Sequence, residues 1–565
     1  MNDRHIFVRL EDDSAYMKPG ALVVCRLSLS WITNEKRQSR KRISPLSFYA
    51  SEDDPCASFV PIRPVHSDFA TPRVISTARA FIDECRGGHP ECEPRTPTRL
   101  PTRVLDVTGS QVKLHTPGCH ELGEYVTLSY CWGGPQPLLL TQHTVDEFRS
   151  GLDESRLPPT IRDAVTATRL LGFRYLWVDA LCIIQDSEQD KLFEIGNMGE
   201  VYRNSIVTLS ASRSSSVNQG FSPGIKGQDN GIKVSGSSEG VAVELSLAGG
   251  HKGRLNLAKK IYDQFEALPL NQRGWALQEY LLSGRILAFG NEAVWMCGKH
   301  KHRPLVPSIM YIAPFPSLAR TTLSAVRQLK ADERASIWAD VVNDFTGRDL
   351  TVADDRVWAL AGVINVFQVA WADKCMWGLW RSNFVVDAWW RRSRHAKPAL
   401  SNTRSKRAPS WSWMSLNSQV QQRDMAVRST TASLVSVADD SGWAINLHAR
   451  LLPTPHQPDV ELPNTEAAQS VVVQAQDSLS LLTSVLRHTQ QQQRLILHMD
   501  LLEDEVDGKP KLLLQLGEHA SGFSEGLIVV QEMAGDITFR RVGFFESCDD
   551  SHLWASAQYQ TVRLI

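Results

Sequence analysis

The chain has 565 residues, and its 61 lysines and arginines against 62 aspartates and glutamates leave a net charge of −1. No bulk field therefore draws it to nucleic acid or to an anionic membrane. Hydrophobic residues at 42% and charged residues at 22% exclude wholesale disorder, a collagen-like repeat and a coiled-coil rod, and no apolar run is long enough for a membrane span.

The first residues, Met1-Asn2-Asp3-Arg4-His5, lead into no apolar core of the signal-peptide kind. The ten cysteines are scattered without a regular framework, which fits reduced thiols. Both features point to a cytoplasmic protein. Residues 1–75 mix short apolar runs with charged patches and read as an N-terminal extension. Cys85-x3-His89-x2-Cys92 has metal-ligand residue types, but a structural zinc takes four ligands. Cys119 or His120 would reach it only by folding back, and the sequence assigns no metal here.

From Val104 the pattern sharpens. Tyr125-Val-Thr-Leu-Ser-Tyr130 is rich in β-formers and stops at Gly133-Gly134-Pro135, a strand running into a turn. Leu157-Pro-Pro-Thr160 introduces a helix, with Thr160 and Asp163 as its capping pair and Gly172 at its end. Tyr175-Leu-Trp-Val-Asp179 is a second strand. Ser187-x-x-Asp190 opens a second helix with Ile195, Met198, Val201 and Tyr202 inward, and Ser205–Ser210 is a third strand. This alternation predicts a parallel α/β sheet with crossover helices.

Ligands of such sheets bind beyond the carboxyl ends of the strands. There the sequence places Ser129, Tyr130, Trp132 and Gly133 after strand one, Asp179 and Gln185 with Asp186 after strand two, and Ser210, Ser212 and Arg213 after strand three. Further on, Arg273-Gly-Trp-Ala-Leu-Gln-Glu279 begins a helix with Trp275, Gln278 and Glu279 on one face, and a hairpin turns at Gly290-Asn291. Residues 301–420 read as mainly helical, with Trp358, Trp377, Trp380, Trp389 and Trp390 as packing residues, and 421–565 as β-rich. The basic stretch from Arg391 to Arg407 reads as a solvated loop. Cys182 has no histidine nearby in sequence and reads as a buried thiol. No Gly-x-Gly-x-x-Gly turn or P-loop is present.

Three segments together, Tyr125–Gly133, Leu157 through Asp186 to Tyr202, and Arg273–Glu279, resemble the fungal heterokaryon-incompatibility (HET) domain. On that resemblance the domain spans 76–300. Gly378-Leu-Trp380, Ala408-Pro-Ser-Trp-Ser-Trp413 and Arg540-Arg-Val-Gly543 are similar to segments that follow it in long family members. The resemblance implies fungal self/non-self recognition and programmed cell death, with self-association or a protein partner. The domain is in turn similar to the TIR domain, whose enzymatic members cleave NAD with a helical glutamate near a strand that ends in a Ser-Tyr-like loop. Carried onto this chain, that makes Glu279 the catalytic glutamate and NAD a substrate. Asp179 would be the second catalytic residue, Ser129, Tyr130, Trp132 and Gly133 would border the nucleotide, and Gln185, Arg273, Trp275 and Gln278 would complete the ligand site. Ala276 departs from the Thr or Ser often found there in the family. The other reading of the same cleft is a tailoring enzyme of secondary metabolism acting on a small organic molecule.

Overall fold

The computed structural model describes residues 6–11, 26–32, 40–42, 46–51, 53–58, 60, 71–92, 97–222, 241–247, 251–259, 261–263, 267–290, 292–305, 310–312, 323–393, 404–422, 429–437, 442–453, 484–487, 494–501, 511–518, 524–532, 537–548, 554 and 557–565. The chain divides into two compact units, Met1–Thr322 and Leu323–Ile565.

The first unit is built on a nine-stranded mixed sheet. Helix α1 (Pro72–Gly88) precedes it, capped by Thr71 and burying Val74, Ala78, Ile82 and Cys85 at helical spacing. The sheet strands are β1 (Val104–Asp106), β2 (Gln111–His115), β3 (Tyr125–Ser129), β4 (Tyr175–Trp177), β5 (Val207–Ser210), β6 (Arg285–Phe289) and β7 (Ala293–Cys297). They run in the order β2-β1-β4-β3-β5-β6-β7, and short edge strands at Leu152–Asp153 and Arg303–Pro304 complete the sheet. The four inner strands β4, β3, β5 and β6 are parallel, and the flanking pairs are antiparallel. Every residue of β3, β4, β5 and β6 is buried, as a parallel sheet covered on both faces requires.

Two crossovers follow the expected alternation. Helix α2 (Pro159–Leu170) joins β3 to β4, and helix α3 (Glu188–Asn204) joins β4 to β5. Ser187 caps α3 by accepting from Asp190 N at 3.3 Å, as its sequence predicts. The first crossover steps to one side of β3 and the second to the other, so right-handed connections put α2 and α3 on opposite faces. Helix α4 (Gly274–Leu282) leads into β6 and packs against α3.

Thr160 and Asp163 do not cap α2. The helix starts at Pro159, whose fixed φ suits the first turn, and both side chains hold the loop after β5 instead. Asp163 Oδ2 accepts from Phe221 N (2.7 Å) and Ser222 N (2.9 Å), and Thr160 Oγ1 accepts from Gly220 N (3.2 Å). The N-terminal segment is also more than an extension. Ile6–Glu11, Arg26–Ile32, Arg40–Arg42 and Leu46–Tyr49 form a six-stranded antiparallel sheet with Val241–Ser246 and Lys252–Lys259.

The second unit begins with helices, among them α5 (Ala331–Gly347) and α6 (Ala361–Trp371), and continues into a nine-stranded, mostly antiparallel sheet. In that sheet Lys511–Glu518, Ser524–Gln531, Thr538–Cys548, Tyr559–Leu564 and Ile445–Pro453 pair successively into a closed ring. Trp380, Trp389 and Trp390 are buried as expected, but Trp358 is 49% exposed. Arg404 and Arg407 are not solvated. Arg404 donates to Ser410 O and Ser415 Oγ, and Arg407 to Met414 O and Leu416 O. Arg394, His395 and Lys397 lie outside the described residues.

Candidate functional site

The parallel strands end where the chain reverses from one side of β3 to the other, and the crevice of an open α/β sheet opens at this switch point. The loops leaving β3 and β5 are locked together there. Ala211 N donates to Ser129 O (2.9 Å) and Val217 N to Trp132 O (3.3 Å). Gly133 has φ +70°, and a Cβ on it would lie 2.2 Å from Ser216 Cβ. Only glycine permits this approach.

Around this junction the structure assembles most of the residues singled out from sequence. Ser129, the last residue of β3, donates its hydroxyl to Glu279 Oε2 across 150 residues of sequence. Glu279 is 5% exposed on α4. Trp132 Nε1 donates to Asp179 Oδ2 at 2.8 Å, Ala180 N to Asp179 Oδ1 at 2.7 Å, and Gln185 Nε2 to Asp179 O at 3.1 Å. Arg273 donates to Tyr130 O and so joins the start of α4 to the loop after β3. Arg285 lies outside this group and sends its Nε toward Cys85 Sγ (3.1 Å).

Burial dominates the electrostatics. It pushes the Glu279 carboxyl up to about 7, with Asp179 adding repulsion and with Arg273 and the Ser129 hydroxyl opposing the rise. Asp179 is also raised by burial, which Arg273 and the Trp132 indole N–H oppose. Tyr130 is held well above its ordinary range by burial and by the neighbouring Asp179 carboxylate. Two carboxyls, one guanidinium and a phenol thus share one place, an arrangement typical of sites that handle charge.

The remaining expectations divide. Gln278 is 1% exposed and Trp275 partly exposed on α4. Gln278 leaves the helix about 100° from Glu279, so the two adjacent side chains set out in different directions. Asp186 is taken up by Gln142 N (2.9 Å), and Ser210 and Ser212 bond each other at 2.8 Å. Cys182 is buried with its thiol pushed up to about 12. Ala276 packs with Cys131 and Leu270 in an apolar cluster. Sequence reading placed Tyr202 only on the inner face of α3. Its hydroxyl, donating to Leu128 O (3.0 Å), lies beside Glu279. The helical stripe marked it as buried, but nothing local linked it to a carboxylate more than seventy residues away.

These features define a doubly wound α/β domain with a polar cluster at its switch point, in which a helix-borne glutamate meets the end of the central strand. Residues 125–279, the span that runs from the central strand to Glu279, match the family described as heterokaryon incompatibility protein (HET), so the chain carries a heterokaryon incompatibility domain there. Comparison with curated proteins and with solved structures finds no match. Among the described residues no helix is long and apolar enough to cross a membrane.

Proposed function

We propose that this cleft cleaves the N-glycosidic bond of NAD or a related nucleotide, that Glu279 is the catalytic carboxylate, and that the activity serves fungal non-self recognition and programmed cell death in the cytoplasm. The observation that carries the reading is the buried pair of Glu279 and Ser129 at the carboxyl end of the central strand.

Loss of nicotinamide breaks the C–N bond with its electron pair leaving on the ring nitrogen, which becomes neutral while positive charge develops on the ribose. A carboxylate fixed beside that sugar stabilises the charge, and the low dielectric around it increases the effect. Water then attacks the anomeric carbon and its proton passes to Glu279, whose pKa near 7 suits both giving and taking a proton. Asp179 accepts hydrogen bonds from ribose hydroxyls, Arg273 pairs with phosphate, and Trp132 stacks on a base. Ser129, Tyr130, Gly133 and Gln185 line the nucleotide, with Trp275 and Gln278 on the helix that borders it. Self-association of the chain completes the site.

The test is NAD consumption by the purified full-length chain, wild type beside Glu279→Gln, over a wide range of protein concentration. Turnover by the wild type that is lost in the variant supports the reading. Equal turnover in both, or none at any concentration, overturns it and leaves the tailoring-enzyme reading to be tested on small organic substrates.

A further inference from the structure

A second cluster lies away from the Glu279 cleft. Cys85, in the last turn of α1, His89 and Cys92 just beyond it, and Cys297 at the end of β7 are all buried, with exposures of 2%, 7%, 8% and 0%. Their donor atoms lie within 4.8 Å of one another. His89 Nδ1 is 3.7 Å from Cys92 Sγ and 3.7 Å from Cys297 Sγ. Tetrahedral zinc with Zn–S near 2.3 Å and Zn–N near 2.05 Å requires S···N separations of about 3.6 Å, so the spacing is already that of a coordination shell. All three cysteines are free thiols.

The surroundings match a metal as well as the four ligands do. His89 turns its other nitrogen, Nε2, to Glu84 Oε1 at 3.2 Å, and Arg303 holds the second oxygen of Glu84 at 2.8 Å. This carboxylate–histidine arrangement fixes the tautomer that leaves Nδ1 free to ligate. The sulfurs have their own donors, with Arg285 Nε 3.1 Å from Cys85 Sγ and His300 N 3.4 Å from Cys297 Sγ. Three thiolates around a divalent ion carry one excess negative charge, and a guanidinium at that distance balances it. A second group, Glu84, His89 and His300, reuses His89, but Glu84 and His300 are not fully buried, and it lacks the soft ligands that select zinc.

We propose that Cys85, His89, Cys92 and Cys297 bind a structural zinc ion as a Cys3His site that ties helix α1 to the hairpin of β6 and β7. With four protein ligands and no open position, the ion has no catalytic role. It fixes the hairpin that follows the Glu279 helix. Cys119, which is exposed, is not the fourth ligand.

The test is elemental analysis of the untagged full-length chain, purified with reductant and without chelator. The expected result is about one zinc per chain in the wild type and in Cys119→Ser, with little or none in Cys297→Ser. Should Cys297→Ser fail to fold, cobalt substitution of the wild type gives an independent answer: tetrahedral d–d bands with sulfur-to-cobalt charge transfer support the site. Folded, reduced wild type that holds neither zinc nor tetrahedral cobalt overturns it, as does a disulfide among Cys85, Cys92 and Cys297 under these conditions.

Discussion

With its pKa raised to about 7 from an ordinary 4.5, Glu279 binds its proton more tightly in the folded chain than in the unfolded one. The contribution to stability is therefore complete below about pH 4.5 and is lost as pH rises through 7. A shift of this size corresponds to about 3 kcal/mol. Glu279→Gln keeps the shape and removes the charge. Its melting temperature should exceed that of the wild type at pH 8, with the gap closing toward pH 5; a gap that does not change with pH would show that the carboxyl is not buried as described. The proposed activity has the opposite sign. The charge that stabilises a ribose cation is the form that costs stability, so wild-type turnover should rise with pH through about 7.

The elements themselves explain why some of the family-like segments are there. Gly378 has φ +86°, and a Cβ on it would come within 2.7 Å of the Trp413 ring. Its carbonyl accepts from both Trp338 Nε1 (2.9 Å) and Trp413 Nε1 (3.1 Å). Gly378→Ala combines backbone strain with overpacking and should cost about 2–5 kcal/mol, measured as a lower urea midpoint. A loss below 1 kcal/mol would mean the tryptophans repack freely. The strands β3, β4 and β5 were legible because runs such as Tyr125-Val-Thr-Leu-Ser129 combine β-formers with a glycine stop. Pairings across long separations were not, because local pattern carries no address. Leu46–Tyr49 finds its partner in Lys252–Lys259, Cys297 completes a cluster begun at Cys85, and Asp163 serves a loop some sixty residues on. The Ser129 to Glu279 bond was foreshadowed only through resemblance, since spacing alone puts nothing between them.

On the scale of the whole molecule, the second unit is held by a buried ionic centre. Arg541, 0% exposed, donates to Asp500 Oδ2 (3.0 Å), Ala388 O (2.9 Å) and Trp390 O (2.6 Å), and its guanidinium lies 3.3 Å from the centre of the Trp390 ring. Arg404 donates to the same Asp500 oxygen at 2.9 Å. Segments far apart in sequence thus converge on one aspartate. Asp500→Ala leaves two guanidiniums without their counter-charge and should cost about 3–5 kcal/mol. Eleven of the sixteen tryptophans follow residue 322, so the intrinsic fluorescence transition reports mainly on this unit and should move to lower denaturant. An unmoved transition would assign the unit's stability to apolar packing alone.

The separation of the four clustered ligand residues also has a consequence in time. Cys85, His89 and Cys92 leave the ribosome 205 residues ahead of Cys297, an interval of about 10–40 s at 5–20 residues per second. Throughout that interval two thiols and an imidazole stand together without their closing ligand, and the nascent chain depends on a reducing environment to keep them unpaired. Premature termination anywhere before Cys297 releases a fragment carrying this open, thiol-reactive loop.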